Sequence, residues 1–579
     1  MIPLPVRTVA GVLAQLEHGF SDFAASFEAG DYVLWLGSGI SRDVVPNVQE
    51  LLVRVLETLR TNVDPTNPDC PYLTALREAL VLADLSQGEI DAIDLAVPVV
   101  SWADCDRITR CLTPRYDEVL DIPVSGQPAD YLVWSGLDVP ATYGDPALEP
   151  DVEHICIALL ILEGVVGSAV TANWDGLIER ALAEVTDEPD AVIRVVVRGE
   201  DFRQSGRRAQ LIKFHGCAVR ARDDEVTYRG LLIARHQQIS GWTERNENRV
   251  MRTHLELLYT DHPSLVIGLS LQDADIHTMI ARSIEDLQRP WPHTPPAVVL
   301  AEEQLQPHHR RVLQATYRSE YESHTAEIND SAILGSYAKP TLLALLLWTL
   351  TDKLSAVLSC LPVNSSWSET ETERLSVDLL HFRDTMAAHA EPDNRAFLSQ
   401  LLDLSTLLLR TFRTGHAPSS GASNYEPLSD RPIRDALQNP DYPAAAFGRL
   451  AVAISLLGRG HFAGDWTIRP GITSAAEEGV LKLAAPPSAP TPREVRVFLV
   501  KDAAAAITLT VNGLADEDDP NTLIVLAERE PIAVVRSPRS KYGRVGSTGA
   551  ARVNIEDLHE AAESADNLYA AFKLAGGFS

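Results

Sequence analysis

The strongest constraint on this chain is a repeated pairing. A short apolar run ends in a glycine or polar turn, and residues with helical spacing follow. "DYVLWLGSGIS" opens the series, with a buried strand from Tyr32 to Leu36 that runs into a turn at Gly37 and Gly39. "SAVTAN", "AVIRVVVRG", "AQLIKFHG", "SLVIGLS" and "PAVVLAE" repeat it, and "SEYESHTA" is expected to close it as a further strand. Helices are expected over residues 8–30, from about Val48 to Leu59, and in "HICIALLILEGV", "WDGLIERALAEV", "NRVMRTHLELLYTD" and "DADIHTMIARSIEDL". Apolar runs this short are strands buried on both faces, and parallel strands need the crossovers that such helices supply. The pattern predicts an α/β fold: a doubly wound parallel sheet over about residues 20–340, with its ligand cleft at the carboxyl ends of the strands.

The stretch from about residue 62 to 150 is too long for a simple connection and reads as an inserted helical cap. The expected partition is therefore a Rossmann-like domain over residues 1–340, a mostly helical regulatory or assembly region over 341–485, and a small α+β domain over 494–579. In the second part "DLLHFRDTMAAHA", "FLSQLLDLSTLLLRTF" and "AAAFGRLAVAISLLGR" are helical, and "TGHAPSSGASNYEPLSD" is a loop. The proline-rich "APPSAPTPR" reads as a linker. In the third, "EVRVFLV", "AAITLTVNG", "NTLIVLAE" and "PIAVVRS" alternate like strands, ahead of a helix from about Ile555 to Leu574.

Hydrophobic residues are 45% of the 579, enough to fill several cores. The formal net charge is −30, and residues 350–579, with 22 basic and 29 acidic residues, account for only 7 of it. Such a chain repels phosphate backbones, which argues against direct nucleic-acid binding. The six cysteines include no C-x-x-C pair, so no metal site is expected, and they read as reduced thiols of a cytoplasmic protein. The opening "MIPLPVRTVAGVLAQLEHGF" has no signal-peptide pattern. "TLLALLLWTL", from Thr341, falls short of the roughly 18–20 residues of a membrane span and reads as a buried helix. "RTFRTGH" (410–416) and "ADEDDP" (515–520) read as a solvated helix end and a solvated turn rather than as a nuclease pair and a calcium loop.

Four strand ends carry candidate chemistry. In "GSGIS", Gly37 and Gly39 let a backbone approach a pyrophosphate; a plain tight turn is the ordinary alternative. In "TANWD", Asn173 and Asp175 follow Thr171 at the switch into a helix, where a helix cap is equally natural. In "KFHG", His215 suits a base or a satisfied core histidine. In "GLSLQDADI", Gly268 and Ser270 make a turn before acidic residues that open a helix, where capping by Asp273 or Asp275 is the ordinary alternative. All four fall at carboxyl ends of strands in one sheet, where a doubly wound fold gathers its ligand contacts.

Together these segments resemble the sirtuin-like (Sir2-type) NAD-binding domain. "GSGIS" stands for its Gly-Ala-Gly-x-Ser loop, "TANWD" for Thr-x-Asn-x-Asp, "KFHG" for Lys-x-His-Gly and "GLSLQDADI" for Gly-x-Ser-x-x-Asp. The resemblance implies that Gly37, Ser38, Gly39 and Ser41 contact the NAD phosphates and ribose. It implies that Thr171, Asn173 and Asp175 line the nicotinamide and ribose end, and that Gly268, Ser270 and Asp273 face the adenosine half. Asn173 and His215 would be the catalytic pair, Asn173 orienting a water and His215 activating it. The four zinc-holding cysteines of protein deacylases are missing, and "RDVVPNVQELL" replaces their Gly-Ile-Pro-x-Phe-Arg stretch. The chain is thus more similar to bacterial sirtuin-like effectors of antiphage defence. That similarity implies an NAD hydrolase, with NAD as substrate, kept off until triggered. It also implies control by homo-oligomerisation or by a partner: a HerA-type ATPase ring, a short Argonaute or a phage protein. The alternatives are a non-catalytic NAD or ADP-ribose sensor and, further off, a protein deacylase or ADP-ribosyltransferase.

Overall fold

The computed structural model describes residues 7–203, 209–283, 289–362, 367–417, 425–470, 480–486, 493–529 and 549–578. Among these, β1 (Val33–Leu36), β2 (Ser168–Thr171), β3 (Ile193–Val196), β4 (Ala209–Lys213), β5 (Ser264–Ile267) and β6 (Val298–Ala301) form one sheet in the order β3-β4-β2-β1-β5-β6. Every pairing in it is parallel. All four residues of β1 are buried: Leu34 and Leu36 enter the core on one face, Val33 and Trp35 the core on the other. That is the side-chain period of two acting on a strand with no solvent face. Helices Val9–Glu17, Ser21–Glu28, Val152–Leu162 and Ala338–Ser359 cover the first face, and Arg249–Asp261, Ala274–Ser283 and Pro307–Tyr317 the second. The expected doubly wound α/β sheet is the fold.

From β1 the chain builds towards β2, then returns across the sheet to β5. The order reverses between β1 and β5, which is where such sheets open a crevice at their carboxyl ends. The segment 62–150 is helical, with Pro71–Leu82 and Cys105–Leu112 its longest helices. Its core includes Leu52, Val55 and Leu56 from helix Val48–Thr61, and Ala218, Ala221, Leu232 and Ala234 from the connection between β4 and β5. The cap therefore packs directly on loops that leave the carboxyl ends of the strands.

Several expected elements differ. Residues 8–30 are two helices, because the chain turns between Glu17 and Ser21. "SEYESHTA" is not a strand. The chain reverses at Arg318, where φ is +48°, and then forms the short helices Ser319–Ser323 and Thr325–Ala332. The place beside β6 is taken by Ile333, in a single bridge to Leu300. Alternating polar residues around Tyr321 mimicked a strand, but a one-residue bridge satisfies that edge.

In the carboxy-terminal part β7 (Thr467–Pro470), β8 (Leu481–Ala484), β9 (Glu494–Val500), β10 (Thr522–Leu526) and β11 (Ala551–Asn554) form a mixed sheet in the order β11-β10-β9-β8-β7. Here "AAITLTVNG" is a helix, Ala503–Val511, not a strand. The reason is topological: β9 and β10 are parallel, so the chain between them must cross over, and Asp502 caps that crossover by accepting from the N–H of Ala505 at 3.0 Å. The expected final helix is two, Ile555–Ala561 and Ala565–Gly576. "PIAVVRS" (531–537), most of the "APPSAPTPR" linker and the middle of the 414–430 loop lie outside the described residues.

Helix Ala338–Ser359 joins the two parts. By length and composition it is the one helix among the described residues able to cross a membrane. In the fold it packs Leu342 to Leu347 into the core beneath the parallel sheet and Val357 and Leu358 into the carboxy-terminal core. Between these, Lys353 forms a fully buried ion pair with Glu163 at 2.7 Å, and Glu163 also accepts from the Tyr425 hydroxyl and the Leu428 N–H.

Candidate active site

The four strand-end segments follow β4, β2, β1 and β5, which are neighbours in that order. Sheet order has made one site of loops scattered over more than two hundred residues.

The β1 and β5 loops pack backbone to backbone. Gly37 N donates to Ile267 O at 3.1 Å and Gly39 N to Gly268 O at 2.9 Å. A Cβ on Gly37 would lie 2.4 Å from Leu269 Cα, and one on Gly39 2.6 Å from Gly268 Cα. Gly268 itself has φ +63°. The three glycines are thus demanded by the contact of one loop with the other, and two of their N–H groups are spent there. Solvent reaches the outer rim of this contact. Ser38 and Ser270 are exposed, and Gly39, Gly268, Asn173 and Asp273 are half-buried.

Beneath the rim is a buried polar layer. Thr171 Oγ1, at the end of β2, accepts from Asn173 N at 3.0 Å. Asn173 Nδ2 donates to Gly37 O at 3.2 Å and to Ser41 Oγ at 3.3 Å. Ser41 Oγ lies 3.1 Å from Asp175 Oδ2 and 3.1 Å from His154 Nε2. Asp175 also accepts from Leu177 N at 3.2 Å, the first N–H of helix Leu177–Val185, while it serves this network. From β4, Lys213 Nζ reaches the carbonyl of Asp175 and, at 2.7 Å, Glu179 Oε1. Burial opposes the charge on Lys213, but Cys217, Glu179 and Asp175 outweigh it and hold the ammonium above its usual range.

His215 is 4% exposed. Its Nε2 lies 2.7 Å from Asp275 Oδ2, on the first turn of helix Ala274–Ser283. Its carbonyl accepts from Trp174 Nε1 at 2.9 Å and from Ile233 N at 3.0 Å, which pins the loop. Burial, the largest influence, disfavours the imidazolium. The Asp275 carboxylate, by charge and hydrogen bond, together with Asp273, outweighs burial and raises the pKa above its ordinary value. The acceptor at Nε2 fixes the proton of the neutral ring there, which leaves the Nδ1 lone pair as the basic position. Asp273 accepts from the hydroxyl of Tyr116, on the cap, at 3.1 Å. Burial, with the Asp275 charge, lifts the carboxyl of Asp273 above the usual range against the lowering influence of His215.

Every sequence-predicted residue therefore belongs to one of two connected groups. Gly37, Ser38, Gly39, Ser41, Thr171, Asn173 and Asp175 gather around the ends of β1 and β2; His215, Gly268, Ser270 and Asp273 gather around β4 and β5. The motifs did not reveal His154 or Tyr116 as members, they carried Lys213 only as the first residue of "KFHG", and they offered Asp275 only as a cap. The rim suits a dinucleotide: hydroxyls at Ser38 and Ser270 flank glycines that admit no side chain. Among the described residues no group of three or more His, Cys, Asp or Glu side chains is arranged to hold a metal ion.

Residues 167–321 match the family model of the SIR2-like domain. The match takes in β2 to β6 and three of the four motif loops, while the glycine loop after β1 precedes it. No curated protein matches the chain.

Proposed function

We propose, from the premise that this chain carries a SIR2-like domain and so an NAD-related function, that it is an NAD⁺ hydrolase yielding nicotinamide and ADP-ribose. The supporting observation is the placement of Asn173 at the end of β2 and of His215, paired with Asp275, at the end of the neighbouring strand β4, beside the glycine rim. Hydrolysis breaks the bond between nicotinamide and ribose, adds water oxygen to the ribose carbon and releases one proton. The chain's own groups suit those needs. The Asn173 amide orients the water, and His215 Nδ1 takes the proton while Asp275 stabilises the imidazolium. Ser38 and Ser270, on the exposed rim beside the glycines, hold the substrate so that the reacting carbon meets the water.

The wider reading is a regulated effector of bacterial antiphage defence that acts by depleting NAD. Burial of His215, next to a loop that the cap holds through Tyr116 and Asp273, supports an enzyme that is off at rest. A HerA-type ATPase, a short Argonaute, a phage protein or further copies of this chain are the proposed triggers.

The test is nicotinamide release by the purified protein, alone and with each candidate partner. Release is expected under at least one condition, and Asn173→Ala and His215→Ala should each reduce it by about 10²-fold or more. NAD binding without release under any condition would make the chain a sensor. Release only with an acylated peptide would make it a deacylase.

A further inference from the structure

We infer that His154 is a positioning residue that, through Ser41, orients the side-chain amide of Asn173. The inference rests on the NAD-cleaving reading above and deepens it. His154 is fully buried on the first turn of helix Val152–Leu162, outside all four motifs.

Its tautomer follows from its neighbours. Asp151 N donates to Nδ1 at 3.1 Å, so Nδ1 carries the lone pair and Nε2 the proton. That proton faces Ser41 Oγ at 3.1 Å. Ser41 has one proton of its own, and Asp175 Oδ2, an acceptor, takes it at 3.1 Å. The remaining lone pair of Oγ accepts from Asn173 Nδ2 at 3.3 Å. The hydroxyl has one donor and two acceptor positions, and all three are filled, so Oγ is locked. The second proton of Asn173 Nδ2 goes to Gly37 O at 3.2 Å. With both amide protons spent, Oδ1 is the free polar atom of Asn173. It is an acceptor, the correct partner for the O–H of an attacking water. A flipped amide would set Oδ1 against the carbonyl of Gly37, two acceptors facing one another. Burial lowers the pKa of His154 despite the nearby carboxylates, so the ring stays neutral and the chain keeps its direction.

The test is a double-mutant cycle on nicotinamide release, with NAD binding and thermal stability measured alongside. His154→Phe keeps a ring of similar size but donates nothing. It should lower kcat by about 10-fold or more with KM within about threefold, and His154→Gln, which can still donate to Ser41, should recover most of that loss. In the Asn173→Ala background His154→Phe should cost less than about twofold, because the group it orients is gone. An equal loss in both backgrounds would mean a merely structural histidine and would overturn the inference. If the wild-type protein releases no nicotinamide, the hydrolase reading fails separately. The orientation is then read directly from the side-chain amide protons of Asn173 by ¹⁵N NMR, assigned by their absence in Asn173→Ala. Protected protons in the wild type that lose protection in His154→Phe would uphold it; protons insensitive to the substitution would overturn it.

Discussion

At the scale of single residues, the His215–Asp275 pair carries a pH dependence whose sign can be worked out. The raised pKa of His215 means that the folded protein holds the proton more tightly than the unfolded chain, whose histidine titrates near about 6.5. The pair's contribution to stability is complete below that value and is lost as pH rises through the folded pKa. A base must be neutral to act, so hydrolysis should rise over the same interval. Asp275→Asn removes the charge that raises the pKa. The acidic limb of the kcat/KM profile should then move to lower pH, and the stability difference from wild type should be larger at pH 6 than at pH 9. A limb that stays in place would show that His215 is not the titrating group. The motifs exposed His215 but not its partner's role, and they missed His154 and Tyr116. The reason is distance along the chain: the contacts His215–Asp275, His154–Ser41 and Tyr116–Asp273 span 60, 113 and 157 residues. A local pattern carries no record of which distant side chain closes a hydrogen bond.

At the scale of elements, helix Ala338–Ser359 shows why an apolar run should be read with its interruptions. Its leucines are core, and the lysine among them, Lys353, is core as well, because Glu163, Ser429 O and Glu163 O receive its three protons. Lys353→Met would leave the Glu163 carboxylate buried without its cation. A loss of about 3 kcal/mol in urea unfolding is expected, and adding Glu163→Gln should restore part of it. If the single variant melts like the wild type, Lys353 does not hold the junction. The errors of expectation are elements too. "AAITLTVNG" and "SEYESHTA" alternate as strands do, yet the first is a crossover helix and the second a pair of short helices. Alternation over a few residues is satisfied by either period, and the direction of the neighbouring strands decided between them.

At the scale of the whole molecule, the parallel sheet does not close its own core. The face that carries Leu34 and Leu36 is completed by Leu342 to Leu347, and by Phe397 and Leu398 from helix Asn394–Thr414. Ending the chain at Tyr337 would strip those side chains away and expose the first face of the sheet. The truncated protein should be insoluble or aggregated, as judged by soluble yield and size-exclusion profile. A soluble monomer with an intact thermal transition would show instead that the sheet domain is self-sufficient. The same interlocking bears on regulation, since the cap touches the β5 loop through Tyr116 and the β4–β5 connection through its core.

What the sequence determined by itself was the set of parallel strands, the helices between them and the polar residues at their carboxyl ends. Those are matters of local period and of short motifs, and neighbours along the chain are enough to express them. Only the tertiary structure decided what the motifs do to one another. It set Gly37 and Gly39 against Gly268 with no room for a Cβ, buried His215 on Asp275, and turned the amide of Asn173 by way of Ser41 and His154. Such choices depend on which strands become neighbours and on the need of every buried polar group for a partner. That need is met across the fold rather than along the chain.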